Sequence, residues 1–527
     1  MNKKLNNLLL VTVIFMITSM TIAIGMAQKV EAASAAEPNP AVTLITAEKP
    51  PTVFLFKNVK VFDGVSDVLK DVDVLVVNNL IRKIGKDLPV SGTYELDVKV
   101  QKFHETTVPP SPYAFSAGYT FRVPVEGGGV ETKQIPVTVI DGGGRTLMPG
   151  LIEGHGHFYV NGNGIADIEN NLTYDQIAIR GAAKAKAALM SGFTTWRDAG
   201  GMAAGLKKNI DEGLVEGPRI YPSGAFIGPT GSHADFRNLT TPNETMFGAH
   251  SSAARNSISF TADSPEAIKT AARQNFMQGA TQLKIMSSGG ILSQFDPWQL
   301  NAFSAEDIQA AVEVADAYGS YVMSHAYSKT AIMRCLDNGV KSLEHNLMFD
   351  EEIAKKMVEK GAYMTTNVTS FSPYITKIDG MTPISARKAN SAQVATANFV
   401  ENVKKFQPKF GFNTDAIGGV QLGIKQTDYS IYLSGQLFGN LFTLKSLTSV
   451  NGEIVKLAGE VLDPYFEGSL GVIEVGAYAD ILIVDGNPLE DLKAIGANEK
   501  WFDAPDRDGI ETIRIIMKDG KIYKNTL

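Results

Sequence analysis

Between about residue 145 and residue 466 the chain alternates short apolar runs with alanine-rich helical stretches, and this alternation limits its fold more than any other feature. Such a pattern is what βαβ units produce, because parallel strands need long crossover connections. Candidate strands run through Gly150–Ile152, Phe193–Trp196, Arg219–Tyr221, Gln282–Ile285, Tyr321–Met323, Ser342–Glu344, Ala362–Thr365 and Phe410–Phe412. These eight strands fit an α/β fold of the closed (β/α)8 TIM-like type, whose active-site residues come from the C-terminal strand ends. The segment Ala305 to Tyr318, with Ile308, Ala311, Val312 and Ala315 at helical spacing, is expected to pack outside it.

The two ends of the chain have a different texture. Val53 to Gly64 and Asp71 to Ile84 are β-rich with turn residues between them, and Ala479 to Gly486 and Ile513 to Ile522 repeat that style. Both ends are therefore expected to combine into one small β-sandwich, 52–144 with 467–527, into which the barrel, 145–466, is inserted. With 527 residues, 44% of them hydrophobic, the chain can bury a large core and a smaller one.

Residues 1–32 begin with Lys3 and Lys4, continue through an apolar stretch and end in small residues. That order reads as a secretory signal followed by a Pro/Ala-rich linker at 33–51, so a secreted or cell-envelope protein is expected. The apolar stretch is about twenty residues long, which leaves an uncleaved membrane anchor as the alternative. The single cysteine, Cys335, excludes an internal disulfide. A net charge of -7 without a basic cluster argues against a nucleic-acid partner and leaves a small-molecule substrate as the expected one.

The chemistry gathers in a few side chains. Glu153-Gly154-His155-Gly156-His157 ends the first candidate strand, and residues two apart in extended chain face the same side, so both imidazoles can point into the mouth. A His-x-His pair alone is as well explained by two loop histidines. His325 and His345, however, close two further strands, and the chain has only seven histidines. Imidazole nitrogens suit zinc and similar divalent cations.

Lys284 lies on another strand between apolar neighbours. Burial lowers the pKa of an ammonium, and the neutral amine can take up carbon dioxide as a carbamate whose oxygens bridge two cations; snorkelling or ion pairing is the alternative. Asp415, at the end of the last candidate strand, can bind a cation and carry a proton from attacking water to a leaving amine, or simply cap a turn. Tyr327, His233, Ser288 and Gly289 are candidates for substrate contact, and Gly290 would let backbone approach closely. Asp198 reads as a supporting or capping group, and His104 and His250 as loop residues.

These residues resemble the amidohydrolase superfamily of binuclear type, over nearly the whole chain after the leader. The resemblance implies that His155, His157 and Asp415 hold one cation, His325 and His345 a second, and carboxylated Lys284 both; zinc is the expected metal. Lys284-Ile285-Met286-Ser287-Ser288-Gly289-Gly290, Ser324-His325-Ala326-Tyr327 and Leu343-Glu344-His345 are similar to the imidazolonepropionase-like branch that contains zinc-dependent prolidases and ochratoxinase-like amidases. The implied activity is hydrolysis of an amide or peptide bond in a Xaa-Pro-type dipeptide or an N-acyl amino acid. The lysine separates this pattern from mononuclear deaminases, which leaves cyclic-amide hydrolysis or deamination as the alternative activity and a non-catalytic exported binding protein as the alternative class. Barrels of this kind often associate, so a homo-oligomer stays open. The stretch 92–135, with Pro109-Pro110-Ser111-Pro112, departs from the family pattern.

Overall fold

A computed structural model of the chain describes residues 52–89, 93–97, 132–162, 165–293, 295–377, 381–394 and 398–527. The leader at 1–32, the linker at 33–51, His104 and most of 92–135 lie outside the described residues. At the borders of that last stretch, Thr93–Asp97 and Thr132–Pro136 pair as antiparallel strands.

Among the described residues, ten parallel strands occupy the middle of the chain. They are β1 (Leu151–Gly156), β2 (Phe193–Asp198), β3 (Arg219–Pro222), β4 (Phe226–Gly228), β5 (Ser259–Thr261), β6 (Leu283–Met286), β7 (Val322–Ala326), β8 (Ser342–His345), β9 (Tyr363–Asn367) and β10 (Lys409–Asn413). One sheet has the order β1-β2-β3 and the other β5-β4-β6-β7-β8-β9-β10. All eight expected strands are present. The two that the pattern missed, β4 and β5, are three residues long, too short for alternation to register. Gly224, at φ +73°, turns the chain between β3 and β4, and a Cβ there would meet Asn275 Oδ1 at 2.7 Å. Asn275 needs that space because its amide group pairs with both the N–H and the C=O of Ala225 at 2.9 Å.

Strand alternation sorts the side chains into two sets. Leu283, Ile285, Val322, Ala326, Leu343, Met364 and Phe410 join one apolar core with the helices. Their neighbours Lys284, Met323, His325, Glu344 and Thr365 therefore face the other way. The helix α2 (Ala305–Ala317) starts at Ser304, whose side chain and that of Asp307 cap each other's backbone N–H groups. It buries Ile308, Ala310, Ala311, Val314 and Ala315, while Val312, expected in the core stripe, sits at its edge and is only partly covered. Helices α1 (Tyr174–Met190) and α3 (Val420–Phe438) lie beside β1, β2 and β10.

Strands β1 and β10 meet along a seam made by one buried amide. Asn451 Nδ2 donates to Ile152 O at 2.7 Å and to Phe412 O at 2.9 Å. Gly154 makes the approach possible, since a Cβ there would stand 2.5 Å from Phe412 O and 2.6 Å from Asn451 Oδ1. Past the strand ends, the N–H of Asp415 donates to His155 O at 2.9 Å.

Strands from both chain ends share a six-stranded sheet. Ile481–Val484 runs antiparallel to Thr146–Pro149 and to Ile513–Lys518, and Lys60–Val61 runs parallel to Thr146–Pro149 on its other edge. Phe56, Val74, Val76, Ile481, Ile483, Ile515 and Met517 share one core beneath it. Arg219, at the start of β3, is tied to this region by ion pairs to Asp480 (3.2 Å) and Asp519 (2.8 Å) and lies 4.0 Å from the centre of the Tyr478 ring.

The seam gives a test. Asn451→Leu leaves two buried carbonyls without a donor and should lower the free energy of unfolding by about 3 kcal/mol, read from urea denaturation. A loss below about 0.5 kcal/mol would show that the seam does not depend on this amide.

Candidate active site

His155 is buried in β1 and its Nδ1 is engaged. Nδ1 lies 2.7 Å from Glu344 Oε2, which makes Nδ1 the donor and leaves the Nε2 lone pair facing Lys284 Nζ at 3.2 Å and Asp415 Oδ1 at 3.6 Å. His157, just past the strand, repeats the arrangement. Its Nδ1 donates to Gly200 O at 3.1 Å, and Nε2 stands 3.3 Å from the same Asp415 oxygen. The His155 and His157 rings are 5.2 Å apart.

His325 and His345 approach from the neighbouring strands. The His345 ring centre lies 4.8 Å from that of His155 and 4.6 Å from that of His325. His325 Nε2 donates to Gly289 O at 3.0 Å, so its Nδ1 keeps the lone pair. Alternation along β8 would point His345 with Leu343 toward the helices, but its φ of +72° turns it to the side of Glu344. Asn346 (φ +50°) and Asp415 (φ +50°) share the left-handed conformation. Each costs about 1–2 kcal/mol in a residue with a side chain, and this strain is concentrated at the ends of β8 and β10.

Burial sets the protonation of the group. It pushes His155, His325 and His345 well below the ordinary histidine range, so these rings are neutral and their lone pairs are available. Lys284 is 1% exposed, and burial brings it down to about 8, within reach of the neutral amine. The ligand atoms of His155, His157 and Asp415 all lie within 4.8 Å of one another. Two imidazole nitrogens and a carboxylate at this spacing fit a divalent cation.

Two buried carboxylates hold this set, and sequence reasoning assigned neither. Glu344 accepts from His155, from Arg197 Nη2 at 2.9 and 3.0 Å, from Ser342 Oγ at 2.6 Å and from Thr365 Oγ1 at 2.5 Å. Arg197 also donates to Gly154 O and to Ser342 Oγ. Glu153 accepts from the N–H groups of His155 (2.9 Å) and Thr414 (3.0 Å), and burial raises it to about 7. The available signal was a charged residue inside a short apolar strand, as in Ser342-Leu343-Glu344-His345. Asp198 is likewise buried; it accepts from the N–H groups of Phe158 and Gly200, and burial raises it to about 6.

All six expected ligands, together with Tyr327 and His233, line one cleft of about 730 Å³ that opens to solvent. His233 packs its ring 4.4 Å from that of His325 and bonds Ser293 Oγ at 2.9 Å. Ser288 and Gly289 do not line the cleft. Ser288 Oγ is taken up by the N–H of Tyr327 and the carbonyl of Gly289, and Gly289 supplies the acceptor for His325. Gly290 is pressed against the His233 ring, where a Cβ would meet ring atoms at 2.1 Å. His250 is exposed and pairs with Glu244. The remaining walls are mostly apolar, with Val160, Phe226, Phe236, Ile291, Leu292 and Ile417 prominent, and Asn367 and Ser370 add polar groups.

Residues 146–446, which carry this site, match the amidohydrolase family. The chain belongs to that family. Family members typically use divalent metals, in keeping with the ligand cluster. The ochratoxinase of Aspergillus niger is 26% identical over 434 residues, 79% of each chain. A prolidase crystallised with N-methylphosphonate-L-proline is 29% identical, with a TM-score of 0.72 over 90% of this chain and 100% of its own. A Xaa-Pro dipeptidase with methionine bound in its active site is 25% identical, with a TM-score of 0.67 over 90% and 100%. This amidohydrolase is thus a hydrolase acting on carbon–nitrogen bonds.

The Arg197–Glu344 pair yields a prediction for its stability. Both side chains are fully buried, so Arg197→Met should cost about 3–5 kcal/mol by leaving the carboxylate unpaired, whereas Arg197→Met with Glu344→Gln should recover part of that loss. Thermal and urea unfolding of the two variants would measure the difference; equal losses would contradict the pairing.

Proposed function

We propose that this amidohydrolase cleaves the amide or peptide bond of a Xaa-Pro-type dipeptide or an N-acyl amino acid, with two divalent cations, zinc by preference, held by His155, His157, His325, His345, Asp415 and carboxylated Lys284. The observation that carries the reading is the convergence of a depressed, buried lysine amine with three clustered ligand atoms at the base of one cleft. Bound there, two cations would lower the pKa of water and polarise the carbonyl to be attacked.

The chain's own residues do the rest. Asp415, a quarter exposed toward the cleft, takes the proton of the attacking water and returns it to the departing amine. Lys284, beside His155, would hold both cations if its amine carried carbon dioxide as a carbamate. Glu344 and Gly200 O hold His155 and His157 in the tautomer that keeps Nε2 free. The Tyr327 hydroxyl and His233 are suited to the substrate carboxylate, and the apolar walls to its side chains.

The substrate class is supported by the relatives, among them a prolidase and a Xaa-Pro dipeptidase. In the same reading, β1 to β4 and β6 to β10 constitute a closed (β/α)8 barrel in which β3 and β4 are two parts of one strand, the chain ends form a β-sandwich, and the leader at 1–32 exports the protein.

Purified protein supplied with zinc should release the C-terminal amino acid from Xaa-Pro dipeptides or N-acyl amino acids, followed by chromatography. Lys284→Ala should lower kcat by at least about 10²-fold, and Asp415→Asn by about 10²- to 10⁴-fold. Wild-type turnover in Lys284→Ala with its full complement of cations would refute the carbamate. Absence of hydrolysis across both substrate classes would refute the substrate assignment.

A further inference from the structure

Two of the three clustered ligand atoms sit on loops that leave different strands, His157 after β1 and Asp415 after β10. The loops are joined backbone to backbone by Asp415 N–H to His155 O at 2.9 Å and by Gly418 N–H to Val160 O at 3.0 Å. Between these links stands Lys184 of α1, whose ammonium donates to His157 O at 2.8 Å and to Ala416 O at 2.6 Å. The residue is 4% exposed, and among the described residues no carboxylate comes within 4 Å of its Nζ.

A buried ammonium is costly, and the carboxylates that favour it, Asp198, Asp415 and Glu153, act on it only from a distance, without an ion pair. The neighbouring walls are Phe193, Trp196, Val420 and Ile424, and Gly423 of α3 leaves room for the lysine stem, its position 3.5 Å from Lys184 Cε for a Cβ. Methionine or leucine would fill this space without the desolvation cost. What the ammonium adds is a link between two carbonyls, one belonging to His157 itself and the other to the residue after Asp415.

We propose that Lys184 is a positioning residue for the metal centre, clamping His157 to the Asp415–Ala416 turn from behind and fixing the separation of their ligand atoms before a cation arrives. The proposal rests on the reading of the site as a metal centre given above. Lys184 acts through the two loops and touches neither cation nor substrate.

The test uses the full chain, with zinc and after its removal by chelator. Lys184→Met keeps the apolar stem and removes both donations. A chelator is expected to strip zinc from this variant at a concentration at least about 10-fold lower than from the wild type, the scale seen when a hydrogen-bond partner behind a metal ligand is lost. In the zinc-free chain, hydrogen exchange should quicken in peptides covering 155–160 and 414–418 and stay unchanged in those covering 322–326. Lys184→Gln, which keeps one neutral donor, should fall between; if Lys184→Met does not fold, it carries the test with the same readouts. Unchanged zinc retention, or unchanged exchange in the two loop peptides, overturns the clamp, and faster exchange throughout the chain overturns it in favour of a general structural role. A wild-type chain that takes up no zinc overturns the metal-centre reading instead, and the exchange comparison then decides the loop linkage alone.

Discussion

The site exists because β1 and β10, more than 250 residues apart in the chain, lie against each other closely enough to share one buried amide. Asn451 bridges their carbonyls, Gly154 removes the side chain that would hold them apart, and the N–H of Asp415 closes onto His155 O. Without that approach the His155–His157 pair and Asp415 would belong to separate loops. The nearness of their ligand atoms is a consequence of backbone packing and glycine placement, and the functional side chains themselves contribute little to it.

Around this seam the protein concentrates buried charge. Lys284, Arg197, Glu344, Glu153, Asp198 and Lys184 are almost completely excluded from solvent. Each burial is costly unless the group is hydrogen-bonded or paired. The partners form a connected set: Arg197 holds Glu344, Glu344 holds His155, and Glu153 joins His155 to Thr414. The result is a firmly held set of imidazoles with their lone pairs free, and an amine brought down to about 8 by burial. Rigid donors of this kind need no rearrangement to accept a cation, which is the physical value of the arrangement.

Much of the frame was legible from local pattern. Eight short apolar runs mark eight of the ten parallel strands, because a strand buried on both faces stays apolar along its length. Their boundaries were less legible: His325 lies within β7 and His155 within β1, since extended backbone continues into polar residues that periodicity reads as loop. The orientation of His345 was not legible at all, because a single left-handed residue reverses the alternation. Ser288 and Gly289 were drawn toward the cleft by their nearness to Lys284 in sequence, whereas their polar atoms support Tyr327 and His325 from outside it. Glu344, Glu153 and Lys184 escaped notice because a lone charged residue in an apolar strand or an alanine-rich helix declares its partner only in three dimensions.

The central claim is that Lys284 and the four imidazoles close around a pair of cations with Asp415. Anomalous diffraction from crystals grown with zinc and bicarbonate tests it most directly. The account predicts two zinc peaks about 3.5–4 Å apart, with density for a carbamate extending from Lys284 Nζ between them. A single peak bounded by His155, His157 and Asp415 alone, or a Lys284 amine without added density and turned from the metal, would contradict it.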